Sequence, residues 1–135
     1  MTLSIHLPWR AALCAALAGA ALGARAVTPG DLLSRYSAQA GAPAQAARGQ
    51  QLFGTRHGRE WSCASCHGAL PVGAGRHAGT GKPIEALAPA AQATRFTDEA
   101  KAEKWFRRNC NDVLGRECSA GEKADVLAWL MTLEP

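Results

Sequence analysis

The chain has 135 residues, with 15 Lys or Arg against 11 Asp or Glu, for a formal net charge of +4. That length suits one domain, and so small a positive excess argues against a nucleic acid as the partner. Apolar residues make up 47% of the sequence, with no internal repeat or low-complexity tract to suggest a solenoid or a disordered chain.

At the N-terminus His6 and Arg10 precede an apolar stretch, Ala11 to Leu22, and no acidic residue occurs before Asp31. Ala24-Arg25-Ala26 then offers small residues at both positions an export peptidase reads. The apolar run is short for a transmembrane span. Residues 1–26 are therefore expected to be a secretory signal that is removed, with an uncleaved membrane anchor as the rival reading. Cys14 leaves with it, because Leu13 is not the small residue that should precede a lipoprotein cysteine. Taking the leader away removes Arg10 and Arg25, leaving 13 basic and 11 acidic residues in a mature domain expected over 27–135.

The mature chain reads as helical throughout, with no run of alternating β-branched residues. Thr28 caps a first helix that has Pro29 at its first position and ends at Gly41, with Leu32, Leu33, Tyr36 and Ala40 on its apolar side. Pro43 opens a second helix running to about Arg56, on which Gly49, Leu52 and Phe53 share a face.

Next comes Cys63-Ala64-Ser65-Cys66-His67, the most informative segment of the chain. Two thiols three positions apart can each add to one haem vinyl group, and the following imidazole can reach the iron from the same side. Cys63 and Cys66 thus point to one covalently attached haem c, with His67 as proximal ligand. A zinc site would want four ligands, and Cys110 and Cys118 do not form a second close pair. A thioredoxin-type pair should follow a strand, and no strand pattern precedes this one. Because haem c is attached outside the bacterial cytoplasm, the motif and the leader agree on the periplasm.

From Gly68 to Phe96 the chain reads as a glycine- and proline-rich loop, too long to stand unsupported in a compact domain. The haem is expected to hold it, the loop wrapping the haem edge. Thr97 then caps a third helix ending near Cys110, with Ala102, Trp105, Phe106 and Asn109 as its inward stripe. Ser119 and Glu122 form a capping box for the last helix, whose buried stripe is Val126, Trp129, Leu130 and Leu133. Helices before and after the motif give an all-α, class I cytochrome c-like plan with an N-terminal helical extension. In that plan Gly49 lies where the first core helix crosses the last.

The sixth ligand is open on these residues alone. Met131 sits in the terminal helix and reads as packing rather than as a ligand. His57 reads as a surface residue, and His77 as a loop histidine able to reach the distal face. Asn109 occupies a core-facing position where an amide needs a partner. It may cap its helix, bond a neighbouring backbone, or face the iron.

The segments Thr80-Gly81-Lys82, Leu87-Ala88-Pro89, Arg95-Phe96-Thr97-Asp98, Lys104-Trp105, Arg108-Asn109-Cys110-Asn111, Gly115-Arg116, Cys118 and Ala124-Asp125 resemble the sphaeroides haem protein family. The resemblance runs from about Leu32 to Leu133. This family is related to cytochrome c-double-prime, which carries a histidine where this chain has Asn109. The resemblance implies Asn109 as distal ligand; Trp105 and Phe106, on the same inward stripe, are expected to line the cofactor. It also implies a second cysteine pair, and in an exported protein a Cys110–Cys118 bridge is the default. Arg76, Lys82, Arg95, Arg107 and Arg108 are candidates for haem propionates or for an acidic redox partner, if they are not simply solvated.

The expected function is one-electron transfer with another cytochrome, a dihaem or membrane cytochrome for example, and binding of O2, NO or CO in the reduced state. The rivals are an enzyme acting on oxygen, peroxide or nitric oxide, and a gas sensor with no carrier role. Only Asp112 offers acid–base chemistry near Asn109, so nothing here argues for turnover. No membrane insertion is expected after cleavage.

Overall fold

The computed structural model describes Met1 and residues 26–135; the expected leader lies, from position 2 to position 25, outside the described residues. Five helices and one two-stranded ladder follow in the order α1 (Pro29–Ala40), α2 (Ala46–Gly54), α3 (Cys63–His67), β1 (Gly75–Arg76), β2 (Pro83–Ile84), α4 (Glu99–Leu114) and α5 (Ala120–Leu130). No described helix is long and apolar enough to cross a membrane.

The sequence rules for helix ends work well at α1 and α5. Thr28 and Asp31 bond reciprocally at the start of α1, and Gly41 closes it in the left-handed conformation. Ser119 and Glu122 do the same at α5. Leu32 and Tyr36 are buried on α1, whereas Ala40 is exposed. α2 begins three residues later than expected: Pro43 lies outside it, and the Gln45 amide is capped from afar by the Asp125 carboxylate at 2.6 Å. That carboxylate, almost fully buried, also takes two bonds from Arg48, at 2.6 and 3.0 Å. It pins the start of α2 to α5.

α5 packs backbone to backbone on both α2 and α1. A Cβ on Gly49 would lie 2.0 Å from the Asp125 carbonyl oxygen, so the crossing admits only glycine. Leu127 and Leu130 of α5 are fully buried, with Val126 and Trp129 nearly so. The Phe53 and Trp129 rings meet at a tilt of 54°, with centroids 4.8 Å apart.

α4 is attached differently. It makes few close backbone approaches to any other element. Side chains reach across instead: Arg35 pairs with Glu99, Lys123 with Glu103 at 2.6 Å, and Tyr36 meets Phe106 edge-on at 5.8 Å. The Cys110–Cys118 disulfide, with Cα atoms 5.5 Å apart, ties α4 to the approach of α5. Its N-cap is Asp98, not Thr97, whose hydroxyl is spent on the Thr94 carbonyl. α4 also runs past Cys110 to Leu114, where Gly115 closes it.

The long segment between α3 and α4 holds itself. Gly75 pairs with Ile84 and Arg76 with Pro83 in an antiparallel ladder. The Leu87 and Ala88 amides both donate to the Pro71 carbonyl, and Ala88 is fully buried. Arg95 donates to the Ala86 and Glu85 carbonyls at 2.8 and 3.1 Å. These bonds brace the loop from within.

Candidate haem site

Cys63, Cys66 and His67 lie on the single turn of α3, started by a reciprocal Ser62–Ser65 pair. The β1–β2 hairpin backs this turn so closely that a Cβ on Gly75 would lie 2.3 Å from the Cys66 carbonyl oxygen and 3.0 Å from the His67 Cα. From the hairpin tip the Ala78 amide donates to Cys66 Sγ at 3.3 Å. His77, weighed as a ligand, is engaged in the same tip. Its Nδ1 accepts from the Thr80 amide, and its ring lies edge-on to Trp61 at 6.5 Å.

The motif residues form no disulfide or ion pair among the described residues. Cys63 and Cys66 are free thiols among the described residues, and burial pushes Cys63 up to about 11, so it stays protonated. Burial first, and the Arg95 charge second, lower His67 to about 4. At neutral pH its imidazole is therefore uncharged, with a lone pair available to a metal. The ring makes no hydrogen bond to a described residue and rests 6.1 Å from Phe53.

On the facing side, Phe106 of α4 and Phe96 of the loop pack against both hydrophobic clusters of the core, yet each remains half-buried. Cys63, Ala64 and Leu87 border the second of those clusters with them, so motif, loop and α4 converge there. Phe96 adopts φ +59°, a left-handed conformation that costs a phenylalanine on the order of 1 kcal/mol and is tolerated where the surroundings over-determine it. Nothing in the sequence signalled it.

Asn109 lies inside α4, a turn after Phe106. Because the helix continues to Leu114, Asn109 does not cap it. Its amide is half-buried and bonds no described residue, whereas the amide of nearby Asn111 donates to the Arg107 carbonyl at 2.7 Å. Of the three roles open to Asn109, two find no counterpart in the geometry. Trp105, placed on the inward stripe, is 41% exposed. Met131 is not packed either, being 39% exposed at the end of α5. His57 is exposed and bonds the Leu52 carbonyl.

Residues 39–130 match a family model described as a domain of unknown function, DUF1924. Cytochrome c-type protein SHP of Cereibacter sphaeroides is 53% identical over 122 residues, covering 87% of this chain and 93% of the relative. The chain belongs to the sphaeroides haem protein family of c-type cytochromes. Cytochrome c'' of Methylophilus methylotrophus is a further relative of this haem protein, 48% identical over 80 residues, 59% of this chain and 56% of its own. The solved structure of oxidised SHP, described as an oxygen binding cytochrome c, superposes with a TM-score of 0.75 at 50% identity, covering 79% of this chain and 98% of its own. Oxidised cytochrome c'' superposes at 0.68 with 38% identity, covering 79% of this chain and 95% of its own.

As a family member the protein carries covalently attached haem c, and its own residues fit that group. Cys63 and Cys66 supply two free thiols, His67 an uncharged imidazole, and Phe96 and Phe106 half-covered apolar faces.

Proposed function

We propose that this is a periplasmic monohaem cytochrome that passes single electrons, with His67 as proximal and Asn109 as distal ligand, and binds O2, NO or CO when reduced. The observation that supports this best is the half-buried Asn109 amide left without a partner beside Phe106. With no protein partner for its oxygen, the amide on this face is available to a group seated beside Phe106. The oxygen binding ascribed to the SHP relative supports the gas-binding half of the reading.

When bound, the haem would supply one-electron redox chemistry. His67, placed by the Gly75 contact and beside the Phe53 ring, would be the proximal ligand. The Asn109 oxygen, hard and neutral, suits the oxidised ion better than the reduced one. Reduction would then weaken the hold of the amide and leave the side bordered by Phe96 and Phe106, with Trp105 at its exposed edge, open to a diatomic gas. In this reading residues 1–26 are cleaved, 27–135 form the exported domain, and another cytochrome is the redox partner.

Optical spectra test the ligand set. The oxidised protein should be six-coordinate and low-spin, and the reduced protein five-coordinate, high-spin and reactive with CO. Asn109→Ala should turn the oxidised form high-spin, while Met131→Leu leaves it low-spin. The reverse result would overturn the assignment of Asn109.

A further inference from the structure

The outer face of α4 carries charge that the fold does not neutralise. Glu99 and Glu103 of this helix are paired with Arg35 and Lys123, and Arg76 and Arg95 are held by loop carbonyls. Lys101, Lys104, Arg107 and Arg108 remain, all exposed; Lys101, Lys104 and Arg108 share one helical face at i, i+3, i+7, with the exposed Asp112 at its far end. None forms an ion pair among the described residues. Trp105 stands between them, 41% exposed, with the Lys104 ammonium 5.9 Å and the Arg108 guanidinium 5.6 Å from its ring centroid. A large ring in water with cations held over it does nothing for the core. Tryptophan and arginine dominate the residues that carry binding energy at protein interfaces, with charges at the rim guiding encounter.

We propose that this face of α4 is the docking surface for an acidic electron-transfer protein. The inference rests on the carrier reading above and assigns it a place. Trp105 adjoins Phe106 and lies one turn from Asn109, so a partner seated there meets the helix that borders the cofactor.

The test uses the intact holoprotein and a reduced, strongly acidic flavodoxin as probe, with dithionite as a small-molecule control. The rate of haem reduction by flavodoxin should fall steeply as salt is raised. Lys104→Glu/Arg108→Glu should slow it about 10- to 100-fold at low salt, the range electrostatic steering spans. Dithionite reduction, allowing for its own charge with a neutral reductant in parallel, and the visible spectrum should stay as in the parent. A parent protein reduced by dithionite but not by flavodoxin would overturn both the carrier reading and the docking face. Fast, salt-sensitive flavodoxin reduction that survives the double substitution would overturn the face alone. A shifted haem spectrum in the variant would assign the cations to the cofactor, and a dimer of the parent in sedimentation would assign Trp105 to a second copy; either result overturns the proposal.

Discussion

At the crossing of α2 and α5 the chain meets itself. Gly49 lies against the Asp125 backbone, the Asp125 carboxylate is saturated by Gln45 and Arg48, and the rings of Phe53 and Trp129 are in contact. Around α3 and α4 the pattern is reversed. Both motif thiols are free of a disulfide, an imidazole and an amide bond no described residue, and two phenylalanines are only half covered. The backbones of α4 and the core helices keep apart, joined by ion pairs and a disulfide. One side is a finished protein interior; the other has the composition of an interior whose missing part is not protein. Stability and function are thereby assigned to different sets of residues, and substitutions should separate them.

The largest effect should come from removing the attachment. Cys63→Ala/Cys66→Ala should abolish covalent haem staining altogether, and amide exchange in the product should show α4 opening well before α2 and α5. Equal protection of the two sides would break the comparison. Gly49→Ala acts on the other side: its methyl has no room against the α5 backbone, and forced overpacking costs about 1–3 kcal/mol even where only side chains must yield. A large fall in melting temperature is expected, with an unchanged haem spectrum in the molecules that remain folded.

Cys110→Ser/Cys118→Ser should cost about 2–3 kcal/mol by loss of the loop constraint. Because α4 continues a turn beyond Cys110, the helix itself also holds Asn109, so only part of the oxidised population should become high-spin. An unchanged spin state with lower stability would assign the bridge to folding alone. The smallest effect concerns acid. The Arg116 guanidinium, opposed by partial burial and aided by the Ser119 amide, brings the Glu122 carboxyl from its ordinary 4.5 down to about 2. A depressed carboxylate stabilises the fold fully above 4.5 and loses that contribution as pH falls from 4.5 toward 2. Glu122→Gln should flatten the melting temperature against pH in that window, and a parallel shift at every pH would count against it.

What was legible in the sequence was local. Thr28 with Asp31 and Ser119 with Glu122 announce helix starts because their bonds span three residues, and the five-residue haem motif states its own chemistry. Gly49 was legible because a helix crossing needs a small residue. The start of α2 was not, since its cap comes from Asp125, 80 positions away. Thr97 looked as good a cap as Asp98, and only the turn at Thr94 decides between them. The hairpin pairs two residues per strand, too few to leave a period in the sequence. Trp105 fits the apolar stripe by spacing, yet its ring lies among cations, because the helical face that buries Ala102 and Cys110 turns it outward.

Tyr36 is the single tyrosine in the chain. Its ring closes the junction of α1 and α4 against Phe106, and burial first, with the neighbouring Glu103 second, raises its phenol well above the ordinary 10.0. The unfolded chain ionises there before the native one does, so stability declines as pH rises past 10. The protein therefore carries its own ultraviolet indicator: phenolate absorbance in alkali comes from one residue and marks the parting of the two helices. It can be followed alongside the visible haem bands, which sense the iron, so that separation of α1 from α4 and loss of the ligand can be timed as two events in one cuvette.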